Sequence, residues 1–306
     1  MPNPYNIGFG MGPRINAGSR VHKSDLGSKL LSTDDYEEAK NLAWTLNDCN
    51  EKRKTWQKEM CDEAVEKVKN FGMEEDQLIV VDGEGWHSGL SGLVAGRLKE
   101  RFSRPACVIT YAENEQGVLE GRGSGRSVEG VNIAATFIDA RNEGLLVKGG
   151  GHAMAGGFTI LPEKLEEFRA FAKEHVQKQL NGAPIVPEKT IDAVATVRGA
   201  SIDFVKILQE QMTPFGSGNP EPVFALTKVR VGKADIMAEK HIRCFISDME
   251  GGASIKAVAF GAVGSPLGDA LLGANDTPLH LAGGFQINDW QGRQSVEFHI
   301  DDVAGL

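Results

Sequence analysis

The sequence predicts an α/β domain that is joined to a long helix and followed by a β-barrel domain. Residues 32–72 contain no proline and no glycine before Gly72, and their apolar residues recur at three- and four-residue steps, which is typical of one amphipathic helix. Residues 73–184 alternate strand-like with helix-like segments, which favours an α/β domain. Residues 185–306 contain six strand-like runs bounded by turn residues, which indicates a small barrel or sandwich.

The composition predicts a cytoplasmic protein of two or three domains. The chain has 306 residues, of which 41% are hydrophobic and 25% charged, as in ordinary globular proteins. It has no apolar run long enough to span a membrane and no signal-peptide pattern at its N-terminus. Its four cysteines form no CxxC pair, which argues against a zinc site or a disulfide framework. The net charge of −9 argues mildly against nucleic acid, although a local basic groove can coexist with acidic helices.

The long helix follows a first segment, residues 1–31, that we expect to form a loop and a short helix. Thr33 or Asp34 is suited to cap the long helix, which spans about 35 residues or ~50 Å. A helix of this length often bridges two domains.

The α/β domain is predicted to contain four strands and three helices. The predicted strands are QLIVVD, PACVITYAE, GVLEGRG and AGGFTIL. The predicted helices are SGLSGLVAGRLKERF, VNIAATFIDARNEG and LPEKLEEFRAFAKEHVQKQLNG, the last of which ends at Gly182. APIVPEK is a plausible linker to the β-rich part, which has one helix, SIDFVKILQEQM.

A glycine pattern after the first strand, VVDGEGWHSGLSG, suggests a dinucleotide-binding turn. Its spacing is GxGxxxG rather than GxGxxG, and the bulky Trp86 and His87 stand where a pyrophosphate needs small residues. The pattern is therefore a weak indication of a nicotinamide cofactor.

The segment EGRGSGRSVEG indicates phosphate binding. It places Arg122, Ser124, Arg126 and Ser127 among glycines at the end of a strand. Arginine offers a two-pronged donor to phosphate, while hydroxyls and exposed backbone N–H groups add further donors. The simpler interpretation is a hairpin loop with solvated arginines, but two arginines and two serines within six residues exceed what a turn needs.

Two further glycine-bearing segments carry polar groups. GGGHAMAGG is predicted to be a loop in which His152, next to Gly150 and Gly151, donates to phosphate, binds a metal or acts as acid or base. GPRINAGSR presents Arg14, Asn16 and Arg20 as donors. No DxD, DHH or HxxxH cluster is visible, so the sequence predicts no two-metal site in this chain.

Together these motifs resemble the RecJ family of single-stranded-DNA-specific exonucleases in the DHH phosphoesterase superfamily. GFGMGPRINAGSR, within residues 1–31, resembles the end of the family's catalytic DHH domain, and residues 32–72 resemble its connector helix. GEGWHSGLSGLVAGRLKERFSRPACVI, GRGSGRSVEGVNIA and GGGHAMAGG resemble the DHHA1 domain, residues 73–184. PFGSGNPEPVFAL and GGFQINDWQGRQSVEFHIDDV resemble the OB-fold domain, residues 185–306.

The resemblance implies a 5′→3′ exonuclease of DNA repair and recombination whose DHH domain binds two Mn²⁺ or Mg²⁺ ions. Most of that domain is expected to be missing here, so we expect the chain to bind no metal and to be inactive alone. Departures from the family at Ser19, Asn132 and Gly156 are expected to be tolerated. Alternatives from other classes are a stand-alone single-strand-binding module and a small-nucleotide phosphodiesterase.

The resemblance also implies roles for individual residues. Ser124 and Arg126, joined by Arg14, match positions that grip a 5′ phosphate, and His152 matches a histidine that faces the scissile region. The remaining DNA-binding candidates are Asn16, Arg20, Arg122, Ser127, Gly150 and Gly151. Candidates in an OB groove are Arg230, Lys240, Arg243, Trp290 and Arg293, with Phe215, Lys228 and Lys233 as further possibilities. Expected partners are single-stranded DNA with a 5′ phosphate, a helicase and a single-strand-binding protein; we expect a monomer without membrane contact.

Overall fold

The computed structural model describes residues 6–216, 218–275 and 277–305. The chain divides into two units, Met1–Pro187 and Glu188–Leu306. None of the described helices is both long enough and apolar enough to cross a bilayer.

The first unit begins with a set of short helices, where a loop and one short helix were predicted. A π-helical turn, Asn6–Met11, is followed by α1 (Gly12–Ile15), α2 (Ala17–Val21) and α3 (Leu26–Ser32). These helices pack against the long helix α4, Tyr36–Asn70. The approach is close at Gly18 on α2, where a Cβ atom would lie 3.1 Å from Cδ2 of Leu46 on α4.

Helix α4 has 35 residues. It is capped by Asp35, whose side chain accepts a hydrogen bond from the N–H of Glu38, and not by Thr33 or Asp34 as predicted. Its buried residues lie between Leu46 and Val68: Leu46, Cys49, Asn50, Met60, Ala64 and Val68. The role of α4 as a connector between domains stays a prediction.

The first unit contains a five-stranded sheet with the order β1-β2-β3-β5-β4. Only β1 and β2 pair in parallel. The strands are β1 (Ile79–Gly83), β2 (Ala106–Glu113), β3 (Leu119–Arg126), β4 (Lys148–His152) and β5 (Ala155–Ile160). The helices that follow α4 are α5 (Ser91–Phe102), α6 (Ile133–Asn142) and α7 (Leu165–Gln179), with short 3₁₀ turns at Met73–Glu75, Ser88–Leu90 and Pro162–Lys164.

Helices cover the two faces of this sheet unequally. Helices α4 and α5 bury Val94 and Leu98 against one face of β1 and β2. Helices α6 and α7 cover the other face, where the rings of Phe137, Phe158 and Phe168 pack together. Helix α5 reaches β3, whereas α6 packs against β4 and β5 from the opposite side. Within the described ranges, the α5 side of β4 and β5 is therefore left without a covering helix.

The second unit is a mixed sheet with the order β10-β11-β9-β8-β7-β6. Its strands are β6 (Ala193–Ala195), β7 (Phe224–Met237), β8 (His241–Asp248), β9 (Ser254–Ala259), β10 (Leu279–Trp290) and β11 (Arg293–Gly305), and its helices are α8 (Ile202–Met212) and α9 (Pro266–Leu272). The core contains the rings of Phe224, Phe285 and Phe298, with Phe204 packed against them.

The prediction of a β-barrel holds only in part. The sheet is mixed, because β9 pairs with β11 and β6 pairs with β7 in parallel. A second pairing of β10 with β7 curls the sheet back on itself, and β6 extends it beyond β7. Register shifts in β7 and β10 accompany this curl. The sequence shows where strands begin and end, but pairings this far apart along the chain are not readable from it.

Candidate nucleic-acid interface

Strand β3 separates its glycines from its polar side chains. Gly123 and Gly125 face the core: a Cβ atom would lie 2.1 Å from the Phe158 ring at Gly123 and 2.5 Å from the Phe137 ring at Gly125. Arg122, Ser124 and Arg126 alternate with them and lie on the opposite face, since successive residues of a strand point to opposite sides. The segment was predicted to lie at the end of a strand; its residues up to Arg126 form the end of β3, and Ser127 follows the strand.

The polar face of β3 is held by helix α5. The hydroxyl oxygens of Ser91 and Ser124 are 3.0 Å apart. The Arg126 guanidinium lies against Gly92, where a Cβ atom would be 2.7 Å from Nη2, and its Nη1 donates to the carbonyl oxygen of Gly125 at 2.8 Å. The start of α5 thus positions both Ser124 and Arg126.

The segment GGGHAMAGG forms a β-hairpin, which corrects the predicted loop. Gly150 opposes Gly157, Gly151 opposes Gly156 and His152 opposes Ala155. Gly151 has φ 147°, and a Cβ atom there would lie 2.4 Å from the Cα atom of Gly156, whereas a Cβ atom at Gly150 would meet nothing within 4 Å. Gly151 therefore allows the two strands of the hairpin to pack closely, whereas Gly150 leaves free space above the sheet.

The strand register gathers the predicted residues into cross-strand rows. Arg126 opposes Ala155, which opposes His152; Ser124 opposes Gly157, which opposes Gly150. Directly opposed residues share a face and have Cα atoms about 5 Å apart, so Arg126 and His152 are about 10 Å apart across the sheet. We call this surface the open face and define it as Arg122, Ser124, Arg126, Lys148, Gly150, His152, Ala155, Gly157 and Thr159.

The open face is positively charged. Within the described ranges, none of its cations, Arg122, Arg126 and Lys148, forms an ion pair. Burial lowers the pKa of the Arg126 guanidinium, and the nearby charge of Arg20 lowers it further. Arg20 lies on α2 with Nη1 3.5 Å from the carbonyl oxygen of Gly89. Positive charges brought together without carboxylates favour an anion as the partner.

Sequence-based prediction missed Arg53 on α4. Burial lowers the pKa of Arg53, and Arg20 lowers it further. The Nε and Nη2 atoms of Arg53 donate to Oδ1 of Asn50, at 3.3 and 3.1 Å, and Nη1 donates to Oε1 of Gln57 at 2.8 Å. An arginine inside the apolar stripe of a helix is the signal that could have identified it.

Besides Arg20, which lies on α2, four predicted residues do not join the open face. Arg14 donates to Oδ1 of Asn47 at 2.9 Å and to the carbonyl oxygen of Gly10 at 2.7 Å. Asn16 is exposed between α1 and α2. Ser127 is 1% exposed and its hydroxyl donates to the carbonyl oxygen of Val131 at 2.7 Å. Gly151 lies on the opposite side of the hairpin from Gly150.

The OB candidates of the second unit do not form one cluster. Lys240 lies in the β7–β8 turn, at the end of the sheet where Ile242 opposes Ala259. Trp290, 70% exposed, opposes Arg293 across the β10–β11 turn, beyond the start of β9. Between these ends, Arg243 of β8 lies 3.4 Å from Oδ2 of Asp235. Arg230 lies on β7.

An outward-facing set of aromatic residues in the second unit was missed. Phe245 is 44% exposed and Phe260 is 57% exposed. The Phe260 ring lies 5.3 Å from the ring of His241 and 5.0 Å from that of His299. We define the outer strip as the residues Arg243, Phe245, Lys256, Phe260, Glu297 and His299. The alternation in HIRCFISD, with Ile242, Cys244 and Ile246 in the core, is the signal that places Phe245 outside.

The cations of the outer strip are neutralised. Lys256 pairs with Glu297 at 2.7 Å, and His299 lies 3.3 Å from the same carboxylate. Arg243 faces Asp235. This surface offers aromatic faces rather than free positive charge.

The described residues do not fit a metal pair: no three or more of their His, Cys, Asp and Glu side chains are grouped so as to hold an ion. A chain of hydrogen bonds joins Thr136, His175 and Asp139, with 3.1 Å from Thr136 Oγ1 to Nδ1 and 2.9 Å from Nε2 to Oδ2. Because Thr136 is fully buried, these three hydrogen-bonded residues present no nucleophile to a substrate.

Comparison with known proteins agrees with the two-unit organisation. A DHHA1 domain model matches residues 75–178 and a RecJ OB domain model matches residues 191–302. The single-stranded-DNA-specific exonuclease RecJ of Salmonella typhimurium is 31% identical over 306 residues, covering 98% of this chain and 51% of that protein.

The chain belongs to the RecJ family. Two crystal structures of RecJ from Thermus thermophilus superpose on it with 25% identity. The complex with Mn²⁺ has a TM-score of 0.80 and covers 99% of this chain and 42% of that one. The complex with Mg²⁺ has a TM-score of 0.79 and covers 98% and 44%. The chain spans about half the length of the RecJ proteins of Dickeya dadantii and Salmonella typhimurium, and corresponds to a C-terminal portion of RecJ.

Proposed function

We propose that this chain is the DNA-binding and substrate-positioning part of a RecJ-like 5′→3′ single-stranded-DNA exonuclease that acts in DNA repair and recombination. The row that joins Arg126, Ala155 and His152 is the observation that carries the proposal. The cations of this face have no carboxylate partner within the described part of the chain. The RecJ relatives, named as single-stranded-DNA-specific exonucleases, support it.

Each part of the row has a separate task in the proposed site. Arg126 offers a two-pronged donor to a terminal 5′ phosphate, and Ser124, whose hydroxyl donates to Oγ of Ser91, lies beside it on the same face. Gly150 and Gly157 leave the floor without side chains, so a sugar–phosphate backbone can approach the strands closely. His152 faces the same strand from β4, where its imidazole can donate to a phosphate oxygen.

Hydrolysis is proposed to use Mn²⁺ or Mg²⁺ in the full-length enzyme, as the metal-bound relatives suggest. Because the described residues do not fit a metal pair, we assign them binding and orientation only. That the chain alone releases no nucleotides stays a prediction, and Mn²⁺-dependent release by a highly purified sample would contradict it. A monomeric state, a cytoplasmic location, and contacts with a helicase and a single-strand-binding protein are also part of the proposal.

The deciding experiment compares single strands that differ only in a 5′ phosphate. Fluorescence anisotropy with 5′-phosphorylated and 5′-hydroxyl oligonucleotides should show tighter binding of the phosphorylated strand. Arg126→Ala should remove that preference, because a hydrogen bond to a charged group contributes about 1.5–3 kcal/mol. Arg141→Ala, on α6 behind the sheet, removes the same charge and should leave the preference intact.

Two results would favour the alternatives. Equal binding of both strands by the unmodified chain would favour a stand-alone single-strand-binding module. Stronger competition by a dinucleotide than by an oligonucleotide would favour a small-nucleotide phosphodiesterase.

A further inference from the structure

A second polar row lies at the other end of the open face. Arg122 opposes Thr159, and Thr159 opposes Lys148. These residues come from the three adjacent strands β3, β5 and β4, and their side chains share the face of Arg126 and His152 because every intervening step along each strand is even. Arg122 and Lys148 are exposed and Thr159 is half-buried.

The row has two cations placed on either side of a hydroxyl group. The Cα atoms of Arg122 and Lys148 are about 10 Å apart across Thr159, so two long side chains can converge above it. In the described part of the chain, neither cation has an ion pair or a side-chain hydrogen bond. Glu120 lies two residues before Arg122 on the same face of β3. Its carboxylate accepts a hydrogen bond from the side-chain amide of Asn114 at 2.8 Å.

The two polar rows are separated by a row of small residues. Arg122 precedes Arg126 by four residues, about 13 Å along the strand. Between them lies the row Ser124, Gly157 and Gly150, which carries no side chain larger than serine. Helix α5 lies over Ser124 on β3, so a nucleic-acid backbone would pass from the first row to the second over Gly157 and Gly150 on β5 and β4.

We propose that Arg122, Thr159 and Lys148 form a second phosphate position, which binds an internal phosphate of the same single strand whose 5′ end lies at Arg126. The proposal rests on the proposed function, because it assumes that a single strand occupies the open face. Two cations without carboxylates and a hydroxyl donor match the charge and the acceptor oxygens of a phosphodiester. Lys148 and Thr159 become positioning residues that the sequence motifs did not identify.

The test uses ligands with one phosphate and with many. Binding of thymidine 5′-monophosphate and of a 5′-phosphorylated oligothymidylate dodecamer is measured by calorimetry and anisotropy across a range of salt concentrations. Lys148→Ala should weaken dodecamer binding about tenfold and reduce its log–log salt slope by about 0.7, the value for one phosphate contact with a single strand. Mononucleotide binding should be unchanged, whereas Arg126→Ala should weaken both ligands.

A matched variant and a double variant complete the experiment. Lys178→Ala, on α7 behind the sheet, removes the same charge and should change neither ligand. If Arg122 and Lys148 share one phosphate, Arg122→Ala combined with Lys148→Ala should weaken the dodecamer less than the product of the two single effects. Circular dichroism checks that each variant is folded.

The possible failures are distinguishable. Equal effects of Lys148→Ala and Lys178→Ala on the dodecamer, while Arg126→Ala still weakens it, would overturn the second phosphate position alone. A loss of mononucleotide binding in Lys148→Ala would also overturn it, because one phosphate would then reach both rows. Absence of any preference for 5′-phosphorylated strands in the unmodified chain would remove the proposed function itself.

Discussion

The open face of the first unit and the outer strip of the second unit differ in whether their cations are paired with carboxylates. On the open face, Arg122, Arg126 and Lys148 have no carboxylate partner among the residues that the structure describes. On the outer strip, Lys256 is paired with Glu297 and Arg243 with Asp235, while Phe245 and Phe260 are exposed. The net charge of −9 conceals this difference.

The difference separates two ways of holding a single strand. Free cations bind phosphates and release counterions, so their contribution falls as salt rises. Exposed aromatic rings stack on bases, and stacking depends little on salt. We therefore expect the open face to supply the salt-dependent part of binding and the outer strip a smaller, salt-tolerant part.

The largest effect should come from filling the floor of the open face. A Cβ atom at Gly157 would have its nearest neighbour at 3.5 Å, so Gly157→Leu fits the fold but projects a side chain next to Arg126 and His152. Loss of both contacts should cost about 3–6 kcal/mol, or a hundredfold or more in affinity. Anisotropy with a 5′-phosphorylated strand measures this, and unchanged affinity in a folded variant would show that DNA binds elsewhere.

The next effect compares an unpaired with a paired arginine. Arg126→Ala should cost about 1.5–3 kcal/mol of binding and reduce the salt slope by about 0.7. Arg243→Ala should cost less than about 1 kcal/mol, because Asp235 already screens that charge. Equal salt slopes for the two variants would contradict the assignment of the free charge to the open face.

The open face is carried by strands that pack against the core on their other side. A substitution that disturbs this core should lower the free energy of unfolding by about 1–3 kcal/mol. Gly123→Ala would place a methyl group 2.1 Å from the Phe158 ring, which must move against Phe137 and Phe168. Gly150→Ala meets open space and should change the free energy of unfolding by less than about 1 kcal/mol. Urea denaturation of both variants measures the difference, and equal midpoints would show that the ring moves without cost.

The sequence predicted the elements better than their arrangement. The alternation of strands and helices in the first unit was readable because each segment has its own period. The position of Arg126 and His152 in one row was not, since it depends on β5 pairing with both β3 and β4. The glycines of GGGHAMAGG were misread as a loop for the same reason: Gly150 and Gly151 lie in β4, which pairs with β5.

The smallest effect should come from the outer strip. Removing the half-exposed ring in Phe245→Ala should weaken single-strand binding by about 1 kcal/mol, the low end for a stacked base, because much of the ring already contacts the protein. The salt slope should stay unchanged, since no phosphate contact is lost. Phe245→Leu keeps most of the apolar volume without the aromatic face and should behave like the alanine variant if stacking is responsible. Full binding by Phe245→Leu would instead assign the contribution to simple apolar contact, and a changed salt slope would mean that this strip, too, carries phosphate.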